Sequence, residues 1–446
     1  MQIKMFCILA FVLASACFLA SCEENDKPTP SPSGGGNDKT PTETVGQPLS
    51  AWTEGLLDIH FINTTTGEST FIIFPDGTQL LVDAAGSTAA TGPVGSTTNV
   101  GIRSRWDPTK DSSFSAGKYI ADYIKGCMEW THNKTLDYVV ATHFHADHIG
   151  GLADVLDMVG VSKILDRGWP DYNYPFDMQT KASNAALVKT YVSAVKSHIA
   201  ETGLSAEMFR AGADDQIKPL HNASAYPDFK VQNIAVNGEI WDGPGKTTAT
   251  GTFPALKDIV VANPKSVSNE DNCPEENHCT TAFRLTYGKF DFYHAGDAQY
   301  DGCSYFAWKD METPAAIACG AVDVMKADHH GVTNTNGYGY KAKNGHVCEA
   351  MKYLNPRCWI INSWTDGHPR QKVFEGVTSL LPGTDVFITN TCSEMESYTG
   401  FNQVKGRDGH IVVRVAKGGG KYFVYVLSDS DGKSTVRKIV GPYSSR

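Results

Sequence analysis

The segment THFHADHIGG, residues 142–151, sets three histidines and an aspartate within six consecutive positions of a chain that has 14 histidines in 446 residues. Before it, LDYVVAT (136–142) is a short apolar run of the kind that makes a buried strand; after it, Leu152, Val155, Leu156 and Val159 recur at helical spacing. His143, His145, Asp147 and His148 therefore fall on a strand-to-helix loop, which can aim several side chains at one point. Imidazole nitrogens and a carboxylate oxygen suit zinc and similar divalent ions, and two ions can share such a cluster if other loops add ligands. The bland alternative is a solvated loop of hydrogen-bonded histidines, and the density of the pattern in this strand–loop–helix context favours metal.

Outward from this loop, strand patterns alternate with helical ones. LLDIHFI (56–62) and STFIIF (69–74) precede a PDGT turn (75–78), in which proline fixes the first turn angle and Asp-Gly accepts the second, and QLLVDAAG (79–86) follows. Helices are expected over 115–130 and near 181–201. Further strands are expected in TTAFRLTYGKFDFYHAGD (280–297), DVMKAD (323–328), RCWIINS (357–363), DVFITN (385–390), HIVVRVA (410–416) and KYFVYVLS (421–428). With no tandem repeat, this mixture predicts a layered α/β domain over residues 51–446. Residues 88–125 and 170–275 read as insertions.

At 41% hydrophobic and 20% charged residues the chain can bury a sizeable core, and its net charge of −10 excludes a broad nucleic-acid-coating face. Nucleic acid enters only as a conceivable substrate. Lys4 precedes the apolar run MFCILAFVLASACFL (5–19), too short for a comfortable span and ending in small residues, as in a signal peptide over 1–21. Its end, LASC (19–22), resembles the lipobox of bacterial lipoproteins, which implies lipidation at Cys22, a membrane contact through that anchor and an extracytoplasmic address. Residues 22–50, rich in Pro, Gly, Ser and Thr, read as a disordered tether with ends about 30 Å apart. Of the later cysteines, Cys273 and Cys279 are the nearest pair and suggest a small loop staple.

HxHxDH followed by Gly-Gly resembles the signature of the metallo-β-lactamase superfamily, and LLVDAAG, YHAGDA and MKADHHG resemble further motifs of it in the same order. The likeness spans residues 56–430. It implies an αββα sandwich of two mixed β-sheets flanked by helices. It also implies a dinuclear centre of two divalent ions, zinc with manganese or iron as alternatives. His143, His145 and His278 would hold one ion, and Asp147, His148 and His330 the other. Asp297 would bridge them and Asp83 would orient the site. His330 is preferred to His329 as ligand of the second ion, the other of the two orienting a ligand or touching the leaving group; His368 would contact substrate, and Asp147 would add proton transfer. His294 and His60, on strands, read as packed structural histidines.

The motifs further resemble the hydrolase domain of competence-type DNA-uptake proteins and the phosphorylcholine esterases, which act on phosphodiesters. The expectation is a phosphodiesterase in which water activated between the two ions attacks phosphorus, with small-molecule or phosphodiester substrates. NTTTGES (63–69) departs from the Asp-Val-Gly-Gln-Gly-Asp run of those relatives. The rivals are a lactone or β-lactam hydrolase with the same centre and a non-catalytic metal-containing binding lipoprotein. A flavin-linked di-iron oxidoreductase is disfavoured, because such relatives carry a carboxylate at the position of His145.

Overall fold

Leu57, Ile59 and Phe61 alternate with Asp58 and His60 along the first strand, β1 (Leu57–Phe61), and all five are buried, so this strand is covered on both faces. The same holds for most of its neighbours. The computed structural model describes residues 43–64, 67–86, 115–131, 133–243, 247–249, 274–300, 310–332, 335, 347–362 and 368–446. Its first sheet comprises β1, β2 (Thr70–Ile73), β3 (Gln79–Val82), β4 (Thr135–Ala141), β5 (Gly160–Asp166) and β6 (Ser205–Met208). The second comprises β7 (Phe229–Val236), β8 (Glu239–Trp241), β9 (Thr247–Ala249), β10 (Ala282–Tyr287), β11 (Phe290–His294), β12 (Val324–Lys326), β13 (Cys358–Ile361), β14 (Asp385–Ile388) and β15 (Val404–Arg407). The chain then returns to the first sheet with β16 (His410–Val415), β17 (Lys421–Leu427) and β18 (Val436–Ser444).

The strand orders are β18-β17-β16-β1-β2-β3-β4-β5-β6 and β15-β14-β13-β12-β11-β10-β7-β8-β9. In each sheet one half is antiparallel and the other parallel, the change falling at β3 with β4 and at β11 with β12. Leu57, Phe61, Val140, Phe283, Phe292, Val324 and Val413 belong to one core between the sheets. On the outer face of the first sheet a second core packs under helices α1 (Ala116–Thr131), α3 (Leu152–Met158) and α4 (Ala185–Thr202). A third core lies under α5 (Glu312–Cys319), α6 (Ala350–Leu354) and α7 (Gln371–Leu380) on the second sheet. Two mixed sheets flanked by helices are the αββα arrangement expected from the sequence.

Several expectations change in detail. Part of the segment expected as an insertion, 170–275, builds the sheets themselves: β7 pairs with β10 over most of its length, and β6 closes the parallel edge. Its strand character was masked by the polar Gln232 and Asn233 and by flanking turns. Residues 43–50, expected in the tether, lie against the body, because Glu43 and Ser50 meet the buried Arg414 and Leu49 is buried. The leader, Cys22, most of the tether, residues 87–114 and Cys273 lie outside the described residues. Among the described residues no helix is long and apolar enough to cross a membrane.

The loop of interest follows β4 and opens with the short helix α2 (Ala146–Ile149). Its double glycine is a packing requirement. A Cβ on Gly150 would meet Gly86 Cα at 2.6 Å, and one on Gly151 would meet Ala85 O at 2.5 Å and Gly117 Cα of α1 at 2.8 Å. Backbone thus approaches backbone here, and even a methyl group must displace it. Gly150 has helical φ, so Gly150→Ala is penalised by overpacking alone, about 1–3 kcal/mol, read as a lower urea midpoint with an unchanged m-value.

Candidate metal centre

Four loops at the C-terminal ends of adjacent strands converge: those after β3 (Asp83), β4 (His143 to His148), β11 (Asp297) and β12 (His329 and His330). Asp147, His148, Asp297 and His330 form one buried group whose donor atoms all lie within 4.8 Å of one another, and His143, His145 and Asp297 form a second. Asp297 belongs to both. Its Oδ1 lies 3.1 Å from His148 Nε2 and 3.8 Å from His330 Nε2, while its Oδ2 lies 3.8 Å from His143 Nε2 and 3.6 Å from His329 Nε2. Asp147 Oδ2 is 3.1 Å from His330 Nε2 and 3.3 Å from His148 Nε2, and His143 Nε2 is 3.1 Å from His145 Nδ1.

The rings are fixed from behind. His148 Nδ1 donates to Asp83 Oδ2 at 2.7 Å, and His330 Nδ1 donates to the Asn362 carbonyl at 2.7 Å. His143 Nδ1 donates to Thr142 Oγ1 at 3.1 Å, and that hydroxyl donates in turn to Asp83 Oδ2 at 2.6 Å. With the proton on Nδ1, each Nε2 presents a lone pair to the interior, which is how protein ligands are readied for a metal. Asp83 is thereby a positioning residue in the structure. Its backbone is left-handed, at φ 58°, and it also accepts the Thr142 amide at 2.7 Å.

The donor set fits divalent cations. Among the described residues His148 Nε2 and both Asp297 carboxylate oxygens are buried without a hydrogen-bond partner, an arrangement that is costly unless a cation meets them. Electrostatics agree. Burial would lower the His148 pKa, but Asp297, Asp147 and Asp83 push it well above the usual range, so positive charge is favoured at this point. Burial would likewise raise Asp297 and Asp147, yet the surrounding histidines, His148 foremost, hold both well below the usual carboxylate range. His143 is driven well below its usual value, first by burial and then by His148, which leaves it neutral.

Other predicted residues take different places. His278 is buried, with both ring nitrogens 3.4 Å from Gln299 Nε2, and is not among the grouped donors. His329 lies beside the centre with its side chain about a quarter exposed, at 24%. His368 is buried in a loop whose next residue, Pro369, packs on Gly331 of the β12 loop. His294 stacks on Phe283, with ring centroids 5.4 Å apart, and His60 Nδ1 contacts the Tyr123 hydroxyl at 2.8 Å.

Sequence reasoning missed the residues that hold the loops. Glu68, buried, bonds His294 Nε2 at 2.5 Å and pairs with buried Lys326, whose Nζ donates to the Gly296 carbonyl at 2.6 Å. Glu276 accepts the Phe144 amide at 2.7 Å and pairs with buried Arg167, while Asn184 Nδ2 donates to the Phe144 carbonyl at 2.5 Å. The peptide groups between His143 and His145 are thus held from both sides. NTTTGES ends in this glutamate and serine, so its departure from the family run was the available signal for Glu68.

Residues 131–224, which contain the histidine loop, match the family model of the Metallo-beta-lactamase superfamily. No curated protein matches the chain. Among solved structures the chain resembles CmlA, a diiron β-hydroxylase from Streptomyces venezuelae, at 11% identity and TM-score 0.32, covering 75% of this chain and 48% of that one. Igni18, a metallo hydrolase from Ignicoccus hospitalis, matches at 13% identity and TM-score 0.32, covering 74% and 94%. A diphosphatase of the PhnP family matches at 11% identity and TM-score 0.27, covering 75% and 85%. The chain spans about half the length of the diiron protein. The two mixed sheets flanked by helices, with the match over 131–224, are consistent with the metallo-β-lactamase fold.

Because Asp83 acts through His148 and Thr142, Asp83→Asn should leave the fold intact but weaken metal affinity about 10–100-fold, measured by competition with a chromophoric chelator.

Proposed function

We propose that this chain is a dinuclear metal hydrolase acting on phosphodiester bonds. The observation that carries the reading is the sharing of the buried Asp297 carboxylate by two donor groups, with no hydrogen-bond partner for its oxygens among the described residues. Two divalent cations held there would supply Lewis-acid polarisation of a phosphoryl oxygen and a water acidic enough to serve as nucleophile near neutral pH. Asp297 holds the two donor groups together, and Asp83 fixes the ring orientations behind them. His145 and His329 are the partly exposed members, so substrate would reach the centre from their side. Asp147, within the His148 and His330 group, is the residue for proton transfer, and His329 and His368 are the groups for contact with the substrate's leaving side.

The phosphodiester assignment is supported by the likeness of the 58–86, 280–298, 323–331 and 361–370 segments to the competence-type and phosphorylcholine esterase hydrolases. Zinc is the proposed metal. We further propose attachment to an extracytoplasmic membrane surface through a lipid on Cys22, supported by the LASC run and the apolar leader.

Purified protein, remetallated with zinc or manganese, should hydrolyse a bis-aryl phosphate, lose that activity to a chelator, and lose both metal and turnover in His145→Ala and Asp147→Ala. Greater turnover of a lactone or chromogenic β-lactam would overturn the substrate assignment. Stoichiometric metal without turnover on any of the three would overturn the enzyme assignment.

A further inference from the structure

The β12 loop places two consecutive histidines in left-handed backbone, His329 at φ 44° and His330 at φ 55°, followed by Gly331 at φ 76°. Non-glycine residues adopt this region at a cost, and two in succession need a reason. The effect is that neighbouring rings point to opposite sides of one carboxylate: His330 Nε2 faces Asp297 Oδ1, and His329 Nε2 faces Asp297 Oδ2. An extended pair would send successive side chains to opposite faces of the strand instead.

We infer that His329 is a ligand of the first metal, completing with His143, His145 and Asp297 a four-donor set that mirrors Asp147, His148, His330 and Asp297. This rests on the dinuclear reading above and gives His329 a ligand role in place of contact with the leaving side, which then falls to His368. Donors around a tetrahedral zinc, each about 2.0–2.1 Å from the ion, stand about 3.3 Å from one another. The separations are of that size: 3.1 Å from His143 to His145, 3.8 Å from His143 to Asp297 and 3.6 Å from His329 to Asp297. His329 closes on Asp297 and stands outside the compact group of His143, His145 and Asp297. Asn277 Nδ2 lies 3.3 Å from His329 Nδ1 and 3.4 Å from its Nε2, so it lies against the ring. His278, the residue that the family resemblance would put in this place, lies against Gln299.

The experiment is cobalt reconstitution of the full chain, with bound cobalt counted per chain and its absorption spectrum recorded. Wild type should bind two equivalents. His329→Asn keeps a residue type that tolerates left-handed backbone and should bind one, with loss of one component of the spectrum; retention of the other shows that the body is folded. His278→Asn should bind two with the wild-type spectrum. A melting curve on each variant separates ligand loss from unfolding, and His329→Gln substitutes if the first variant melts early. Two equivalents in the His329 variants, or one in a folded His278→Asn, would overturn the assignment of His329 while leaving the dinuclear centre standing. A wild type that binds no cobalt would overturn the centre itself.

Discussion

The arrangement depends on one buried ionic cluster that ties the two sheets together. Glu68 precedes β2 in the first sheet, while His294 ends β11 and Lys326 ends β12 in the second, and all three are fully buried. The Glu68 amide donates to the Asp147 carbonyl at 3.0 Å, so the residue that grips the second sheet also grips the histidine loop of the first. Lys326 completes the link, lying 3.8 Å from Asp297 Oδ1. Burial would neutralise such groups, but Lys326 and then His294 hold the Glu68 carboxyl down to about 2, and Glu68 with Asp297 raises Lys326. A buried pair of this kind contributes little net stability against a well-packed apolar substitute, yet losing one partner costs several kcal/mol. What it supplies is register. The two halves of the centre come from different sheets, and each fixes the other through this contact.

A second constraint acts within each loop. Rings that must offer lone pairs inward are secured by donors outward, to Asp83, Thr142 and the Asn362 carbonyl, and the peptides between them are secured by Glu276 and Asn184. Glycines at 150 and 151 allow the backbone of the histidine loop to close on Gly86 and on α1. Ligand direction therefore follows from backbone packing more than from the ligands' own torsions.

The histidine loop, Asp83, Asp297 and the strands carrying them were legible because motif and context coincide: a buried run, a dense set of ligand-type residues, then helical periodicity. The two-sheet architecture followed from the family likeness. What was not legible depends on contacts between distant segments. Glu68, Lys326, Glu276, Arg167 and Asn184 stand singly, with no spacing to mark them, and acquire a role only where the sheets meet. β7 was hidden because Gln232 and Asn233 interrupt its apolar pattern, although both are buried and bonded to the 210–216 turn. His278 was expected as a ligand from its distance along the chain to Asp297, and in the structure its ring lies against Gln299, a contact that spacing does not encode.

The paired left-handed histidines carry a thermodynamic consequence. Each such residue costs on the order of 1 kcal/mol or more in the folded chain, and the buried carboxylate between them adds to that expense. Cations bound at the proposed centre would offset it only in the native state, since the unfolded chain does not assemble the four loops. Folding and metal uptake would then be linked by mass action: free ion at a hundred times its dissociation constant would deepen the native well by about 2.7 kcal/mol per site. The stability of the native state would in this way follow the supply of ion around it as well as its own core.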